Sequence, residues 1–164
     1  MSVAWSQFEN DFLNANSWGQ RKDGFPSDLL DALDVEEKRQ AVKILIGKLD
    51  GRDDWPIRAM AHLRVKESIA MLRSLLSETK SPVIRAVTAT AVYELTGDDT
   101  MENEVITVCT MSDLHWGYRI DAIHCLARFK TESARHVLDE LTRDSDYLVS
   151  YNAKIARGGS RFLE

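Results

Sequence analysis

The chain has few of the residues that cross-link or interrupt a polypeptide. Its 164 residues include only two cysteines, three prolines and eight glycines. Cys109 and Cys125 lie in separate apolar stretches, a placement typical of free buried thiols in a reducing compartment and not of a disulfide framework. Because proline and glycine are the main breakers of helices, so small a number leaves most of the chain free to be helical.

Long apolar runs and an excess of positive charge are also missing. No stretch approaches the roughly 20 apolar residues of a membrane span. The opening residues MSVAWSQFENDF do not form the basic and then apolar segment of a signal peptide. The formal net charge of −5 disfavours nucleic acid as a partner. We therefore expect a cytoplasmic protein that binds neither membrane nor nucleic acid and whose charge suits a basic partner.

Motifs of the common enzyme classes are absent as well. The sequence has no HExxH zinc motif, no glycine-rich phosphate loop and no GxSxG turn. The segment 113–129 places Asp121, His124 and Cys125 at helical positions i, i+3 and i+4, where one face could present them to a metal. His115 lies about 180° around the same helix from His124, and no other Cys–His pair supplies further ligands. We predict no metal, no cofactor and no catalysis.

A repeated helical pattern fills most of the chain. Four segments, DWPIRAMAHL, SPVIRAVTAT, HWGYRIDAIH and DYLVSYNAKI, align on the anchor positions Arg58, Arg85, Arg119 and Ser150. The period is roughly 31 residues. An apolar or aromatic residue precedes each anchor, and a small residue, Ala or Thr, follows three positions later. Four positions before the anchor, three of the four copies have a favoured helix N-cap residue. The agreement of several independent columns indicates repeated helical hairpins.

Each hairpin has a first helix that contains the anchor and a second helix that follows it. The pattern predicts first helices over 54–65, 81–96, 115–129 and 146–157. It predicts second helices over 67–78, 101–112 and 132–143. Upstream, Asp34 and Glu37 make a capping box for a helix over 34–49, which pairs with the short segment PSDLLDAL.

Both ends of the array are predicted to be closed. An N-terminal helix carries Trp5, Phe8 and Phe12 on one face, which would seal the first unit. The fourth of the first helices, 146–157, has polar residues at positions where the earlier repeats have apolar or paired residues. Gly158-Gly159 ends this helix, as in a terminal capping repeat. We therefore divide the chain into an N-terminal capping helix and linker (1–25), a repeat domain (26–157) and a C-terminal tail (158–164).

The PxIRAxA-like helix starts, the recurring arginine and the acidic residues between units resemble HEAT repeats over residues 26–157. They are most similar to the short HEAT-like repeats of phycobilin lyase subunits and of small bacterial proteins, although HEAT arrays usually have periods of 40–47 residues. The resemblance implies an all-α fold, a right-handed α-solenoid of stacked helical hairpins. It also implies that Arg58, Arg85 and Arg119 form a structural ladder.

Equivalent positions of successive repeats form a continuous edge. On that edge, aspartates precede the first helices and aromatic residues begin them, a composition typical of protein-binding hot spots. The predicted partner-binding residues are Asp53, Asp54, Trp55, Asp113, His115, Trp116, Asp144, Asp146 and Tyr147. The same residues would also serve as helix caps and as packing between repeats, and the sequence leaves both readings open. Outward positions of the second helices form the other candidate surface.

The resemblance extends to the stand-alone HEAT-like proteins that bacteria use as immunity proteins. It implies a non-catalytic, stoichiometric inhibitor, monomeric when free, that binds and neutralises a basic toxin domain in the cytosol. Two alternatives stay open. A bilin-lyase-like subunit or assembly chaperone would need a pocket for a tetrapyrrole, and a HEAT-like DNA glycosylase would need a basic concave track with aromatic contacts.

Overall fold

The computed structural model describes residues 1–158, and every regular element in that part of the chain is a helix. The helices are α1 (Val3–Phe8), α2 (Trp18–Arg21), α3 (Ser27–Asp31), α4 (Val35–Ile46), α5 (Asp54–His62), α6 (Ile69–Glu78), α7 (Pro82–Thr96), α8 (Glu102–Cys109), α9 (Trp116–Leu126), α10 (Glu132–Leu141) and α11 (Tyr147–Gly158). A π-helix, Glu9–Leu13, continues α1, and the 3₁₀ turns Lys66–Ser68 and Asp99–Met101 lead into α6 and α8. The predicted all-α class is confirmed. Residues 159–164, which hold Gly159 and the predicted tail, lie outside the described residues.

The helix starts follow local capping chemistry. The Asp34 carboxylate accepts the Glu37 N–H, and the Glu37 side chain accepts the Asp34 N–H, which is the predicted capping box. Ser81 caps α7, with Pro82 in the first turn. One start differs from the aligned column: Asp53, not Asp54, caps α5 by accepting the Trp55 N–H.

Two helix ends use the left-handed backbone region. Gly97 ends α7 with φ of 75°, where glycine has no steric cost. Arg64 follows α5 with φ of 57°, an uncommon conformation for a residue with a side chain. Its guanidinium donates to the Glu94 carbonyl near the end of α7 at 2.8 Å. The Arg64 side chain therefore joins the ends of two neighbouring first helices.

The first helices form a continuous packed row. α5 packs against α7, α7 against α9, and α9 against α11. The second helices lie against this row: α6 contacts α7, α8 contacts both α7 and α9, and α10 contacts α11. The small residues three positions after the anchors, Ala61, Thr88, Ala122 and Ala153, are all buried. Their small size lets neighbouring first helices approach closely. Among the described residues, no helix is long and apolar enough to cross a lipid bilayer.

The two ends of the row differ. At the N-terminal end, Trp5, Phe8 and Phe12 are buried and join one hydrophobic core with the repeat helices. At the C-terminal end, α11 turns Val149 and Ala153 inward. On α11, Tyr147, Tyr151 and Ile155 are exposed at i, i+4 and i+8, one stripe of the helix. The exposed surface of α11 therefore carries this apolar stripe beside polar residues such as Lys154 and Arg157.

Candidate functional site

The aromatic residues of the predicted binding edge lie in three different environments. Trp55 at the start of the repeats is 5% exposed, Trp116 is 43% exposed, and Tyr147 is 73% exposed. Exposure therefore rises along the chain from the first repeat to the last. Trp55 is a packing residue, whereas Trp116 and Tyr147 are accessible to a partner.

The N-terminal segment covers the first of these aromatics. The Arg21 guanidinium lies 3.9 Å from the centre of the Trp55 ring and donates to the Asp53 carboxylate at 2.7 Å. The rings of Phe12 and Phe25 lie 5.3 and 6.4 Å from the ring of Trp55. Asp53 and Trp55 are thus occupied within the chain by a stacked, ion-paired arginine.

The other aspartates of the predicted edge differ in whether their carboxylates already bind groups of the same chain. Asp54 pairs with Arg58 at 2.6 Å, and Asp144 pairs with Arg119 at 2.6 Å. The remaining two are less engaged. One Asp146 oxygen accepts the N–H groups at the start of α11. Asp113 is exposed and has no hydrogen bond or ion pair to another described residue.

The anchor arginines divide into two groups. Arg85 donates to the Thr79 carbonyl at 3.0 Å and to Glu104 at 2.7 Å. Arg119 donates to the Cys109 carbonyl at 2.9 Å and to the Asp144 carboxylate. Each of the two therefore ties the end of the preceding second helix to an acidic residue. Arg58 instead pairs with Asp54 of its own helix and faces a cavity.

Burial and hydrogen bonding act in opposite directions on the Asp144 carboxyl. Burial raises its pKa, but hydrogen bonds from the Arg119 guanidinium and the Asp146 N–H lower it by more. The net pKa of Asp144 lies below its ordinary value. Asp144 is therefore a charged structural partner of Arg119, and it is less available to a binding partner than its place on the edge suggested.

Six exposed aromatic and apolar side chains lie on α9 and α11, two helices that pack against each other, and we call this set the C-terminal patch. Its members are Trp116, Tyr118, Tyr147, Leu148, Tyr151 and Ile155. The Tyr147 and Tyr151 rings stack with their centres 5.9 Å apart. The His115 ring, which caps α9 by accepting the Gly117 N–H, lies 4.9 Å from that of Trp116.

A groove extends from Trp116 of the C-terminal patch to the turn before α11. It is lined by Trp116 on α9 and by Asp144 and Asp146 in the turn that leads into α11. Trp116 and Tyr147 of the patch were predicted from the sequence, whereas Tyr118, Leu148, Tyr151 and Ile155 were not. The spacing of residues 147, 151 and 155 does predict that they share one face of a helix. It does not show whether that face packs on the core or is exposed to solvent, because both cases give the same spacing.

A second feature is a cavity of about 170 Å³ over α7, between α5 and α9. The full lining is Phe25, Ser27, Arg58, Ala61, His62, Val87, Thr90, Ala91, Glu94, Cys125 and Arg128. Of the three residues weighed as metal ligands, Cys125 is buried at this cavity and Asp121 is exposed. His124 contacts Asn152 at 3.0 Å. Within residues 1–158, no group of three His, Cys, Asp or Glu side chains is arranged to hold a metal.

The two candidate surfaces differ in chemistry. The C-terminal patch presents exposed aromatic rings, and Trp116 shares a groove with the carboxylates of Asp144 and Asp146. The cavity presents two guanidinium groups beside a floor of mixed polar and apolar residues. Comparisons with models of protein families, with curated proteins and with solved structures found no match to this chain.

Proposed function

We propose that this protein is a non-catalytic binding module that holds one basic protein partner on the C-terminal patch. The observation that carries the proposal is the set of exposed aromatic residues on α9 and α11. Exposed aromatic and apolar side chains on two helices that pack against each other are typical of an interaction site. Tyrosine and tryptophan are also the residues most enriched in the energetic centres of protein interfaces.

A contact inside the chain suggests how a basic partner would bind. Arg21 stacks on Trp55 and pairs with Asp53 at the start of the repeats. At the other end, Tyr147 follows Asp146 directly and has no such arginine on it among the described residues. A partner's arginine or lysine at Tyr147 would make the same stacked and ion-paired contact. The net charge of −5 would speed the approach of a basic partner.

Stoichiometric inhibition is the activity that best suits a rigid scaffold with this surface. We therefore infer an immunity protein, which would neutralise a basic toxin domain in the cytosol by covering it. The scaffold itself would be the right-handed HEAT-like solenoid. The row of first helices and the matching contacts of Arg85 and Arg119 support that arrangement.

The experiment pairs capture of a partner with variants of the C-terminal patch. A tagged protein is used to isolate partners from the native lysate, and the double variant Tyr147→Ala/Tyr151→Ala is compared with Trp18→Ala. Trp18 is the matched control because it is an exposed aromatic residue on α2, outside the patch. We expect a near-equimolar basic protein whose affinity falls at least about tenfold in the double variant and is unchanged in the control.

Three outcomes would contradict the proposal. The partner could bind the double variant as tightly as the natural chain, or the Trp18 control could lose binding equally. The purified protein could also carry a pigment or nucleic acid, which would favour the lyase or glycosylase alternatives. A genetic test complements the binding assay: the captured partner should stop growth when expressed alone, and this protein, but not the double variant, should restore it.

A further inference from the structure

Arg58 leaves most of its guanidinium without a protein partner. Its Nε donates to Asp54 at 2.6 Å, whereas its Nη1 and Nη2 atoms make no hydrogen bond to a described residue. The side chain is nevertheless two-thirds buried and forms part of the wall of the cavity over α7. A guanidinium held through Nε presents two parallel N–H donors, the geometry that matches a carboxylate.

Arg128 reaches the same cavity from the opposite wall. Its Nε pairs with the Glu94 carboxylate, and its Nη atoms also make no hydrogen bond to a described residue. Arg58 comes from α5 and Arg128 from the turn that follows α9, so that both guanidinium groups line one cavity over α7. Each is held in place by its own carboxylate, which leaves both sets of terminal donors for a ligand.

The cavity is small, and its lining mixes apolar side chains with the polar side chains of Ser27, His62, Thr90 and Glu94. Val87 and Ala91 of α7 contribute apolar surface, together with Ala61 of α5 and the ring of Phe25. A volume of about 170 Å³ is close to that of engineered apolar cavities of about 150 Å³, which hold one benzene molecule. The space therefore suits a body of about one aromatic ring or one branched aliphatic group.

Other charged groups near the cavity limit what it can bind. His62 is held by Asp31, with 2.8 Å between Nε2 and the carboxylate. Asp121 of α9 is exposed but lies close enough to Arg58 to interact with it electrostatically. Both cavity arginines already have one carboxylate each, and Asp121 adds a further negative charge, so the site has no surplus positive charge. A ligand with a single negative charge fits this balance better than a polyanion.

We propose that the cavity over α7 binds a small monocarboxylate with an apolar body, free or as the C-terminal residue of a peptide. The carboxylate accepts from the Nη groups of Arg58 and Arg128, and the body packs on Phe25, Val87 and Ala91. This binding is independent of partner capture at the C-terminal patch, since the two surfaces share no residue.

Titration calorimetry on the full chain tests the site with matched pairs of probes. Benzoate is compared with benzamide, its neutral isostere, and N-acetylvaline with N-acetylvalinamide. We expect one site for at least one of the two carboxylates and no measurable heat for either amide. Benzoate represents a free small acid, and N-acetylvaline represents the C-terminus of a peptide. The ratio of their affinities therefore shows which kind of ligand the cavity prefers. Equal binding of an acid and its amide, or no binding of either acid, would overturn the proposal.

Variants locate the binding. Arg128→Gln is chosen first because Arg128 is a surface side chain whose loss should leave the fold intact, and Arg58→Met is the stronger test. Arg73→Gln is the control, because Arg73 makes a comparable exposed ion pair with Asp98 away from the cavity. We expect affinity to fall at least about tenfold in each cavity variant and by less than about twofold in the control.

Amide NMR spectra give a second readout that does not depend on the heat of binding. Benzoate should shift the amide signals of Thr90 and Ala91 on the floor of the cavity in the natural chain. In the Arg128→Gln variant these shifts should need at least about tenfold more benzoate. Unchanged affinity in both cavity variants, or shifts confined to residues outside the cavity, would place the carboxylate elsewhere and reject the site.

Discussion

The anchor arginines have the same position in the repeats but not the same role. Arg85 and Arg119 each satisfy a carbonyl at the end of a second helix, a group that has no partner inside its own helix. Arg119 is also nearly buried, so that its charge depends on the Asp144 carboxylate. Buried charges are stable only when they are paired and hydrogen-bonded, which makes Asp144 a structural residue.

The Asp144→Asn variant tests this pairing. We expect it to lose about 2 kcal/mol of unfolding free energy near pH 7, since it removes a charged hydrogen bond to a buried guanidinium. The pKa of Asp144 is lowered in the folded protein, so its contribution is fully present above the ordinary carboxyl pKa and is lost as the pH falls through the lowered value. Urea unfolding measured from pH 7 down to about pH 3 should show the difference shrinking.

The control for Asp144 is Asp113→Asn, at an exposed aspartate without a hydrogen bond or ion pair to a described residue. Its effect should stay within about 0.5 kcal/mol at every pH. An Asp144→Asn effect that is the same at both ends of the pH range would show that the carboxylate charge is not what stabilises the fold.

At the scale of elements, the N-terminal segment and α11 occupy opposite ends of the helix row. The N-terminal segment buries a chain of aromatic contacts in which the rings of Trp5 and Phe8 lie 5.4 Å apart and those of Phe8 and Phe12 5.2 Å apart. This segment therefore belongs to the hydrophobic core, whereas α11 shares only one of its faces with the core.

The Phe8→Ala variant tests the N-terminal segment as part of the core. Phe8 is fully buried, so its truncation should cost about 3–5 kcal/mol through lost burial and the cavity left behind. Trp18→Ala, at the exposed start of α2, should cost less than about 0.5 kcal/mol. Both values come from urea unfolding. A Phe8→Ala protein as stable as the Trp18→Ala protein would mean that the N-terminal segment is only loosely attached.

At the scale of the whole molecule, a single hydrophobic core runs from Trp5 to Ala153. Cys109 and Cys125 are both buried in it. Burial raises the pKa of the Cys109 thiol to about 12, and burial likewise raises the pKa of the Cys125 thiol. Neither thiol should therefore form the reactive thiolate while the fold is intact.

Thiol labelling tests whether the buried core opens only when the whole protein unfolds. With Ellman's reagent near pH 8, we expect Cys109, which, unlike Cys125, does not line the cavity over α7, to react only as fast as the protein unfolds, because its thiol is buried and protonated in the native state. Its labelling rate should rise with urea in step with the loss of helical circular dichroism, and both thiols should react at once in guanidinium chloride. Fast labelling of Cys109 in buffer alone would contradict a single closed core.

Several features were predictable because they depend on neighbours in sequence. The helices α7 (Pro82–Thr96) and α10 (Glu132–Leu141) lie close to the predicted 81–96 and 132–143, since N-caps, proline placement and apolar periodicity act within a few residues. The burial of the small residues after the anchors follows from the same periodicity. The predicted range 101–112 is longer than α8 (Glu102–Cys109). The bounds of a helix are hard to predict because its ends often fray or continue as 3₁₀ turns.

The all-α class and the repeat anchors were thus determined by the sequence alone, through chemistry that acts along the chain. Only the tertiary structure decided that Trp55 is buried while Trp116 and Tyr147 are exposed. Arg21 and Phe12 cover Trp55 from more than 30 residues away in sequence, and no pattern local to Trp55 encodes that contact. The direction of Arg58 was decided in the same way, because the cavity it faces is formed by three helices that meet only in the folded chain.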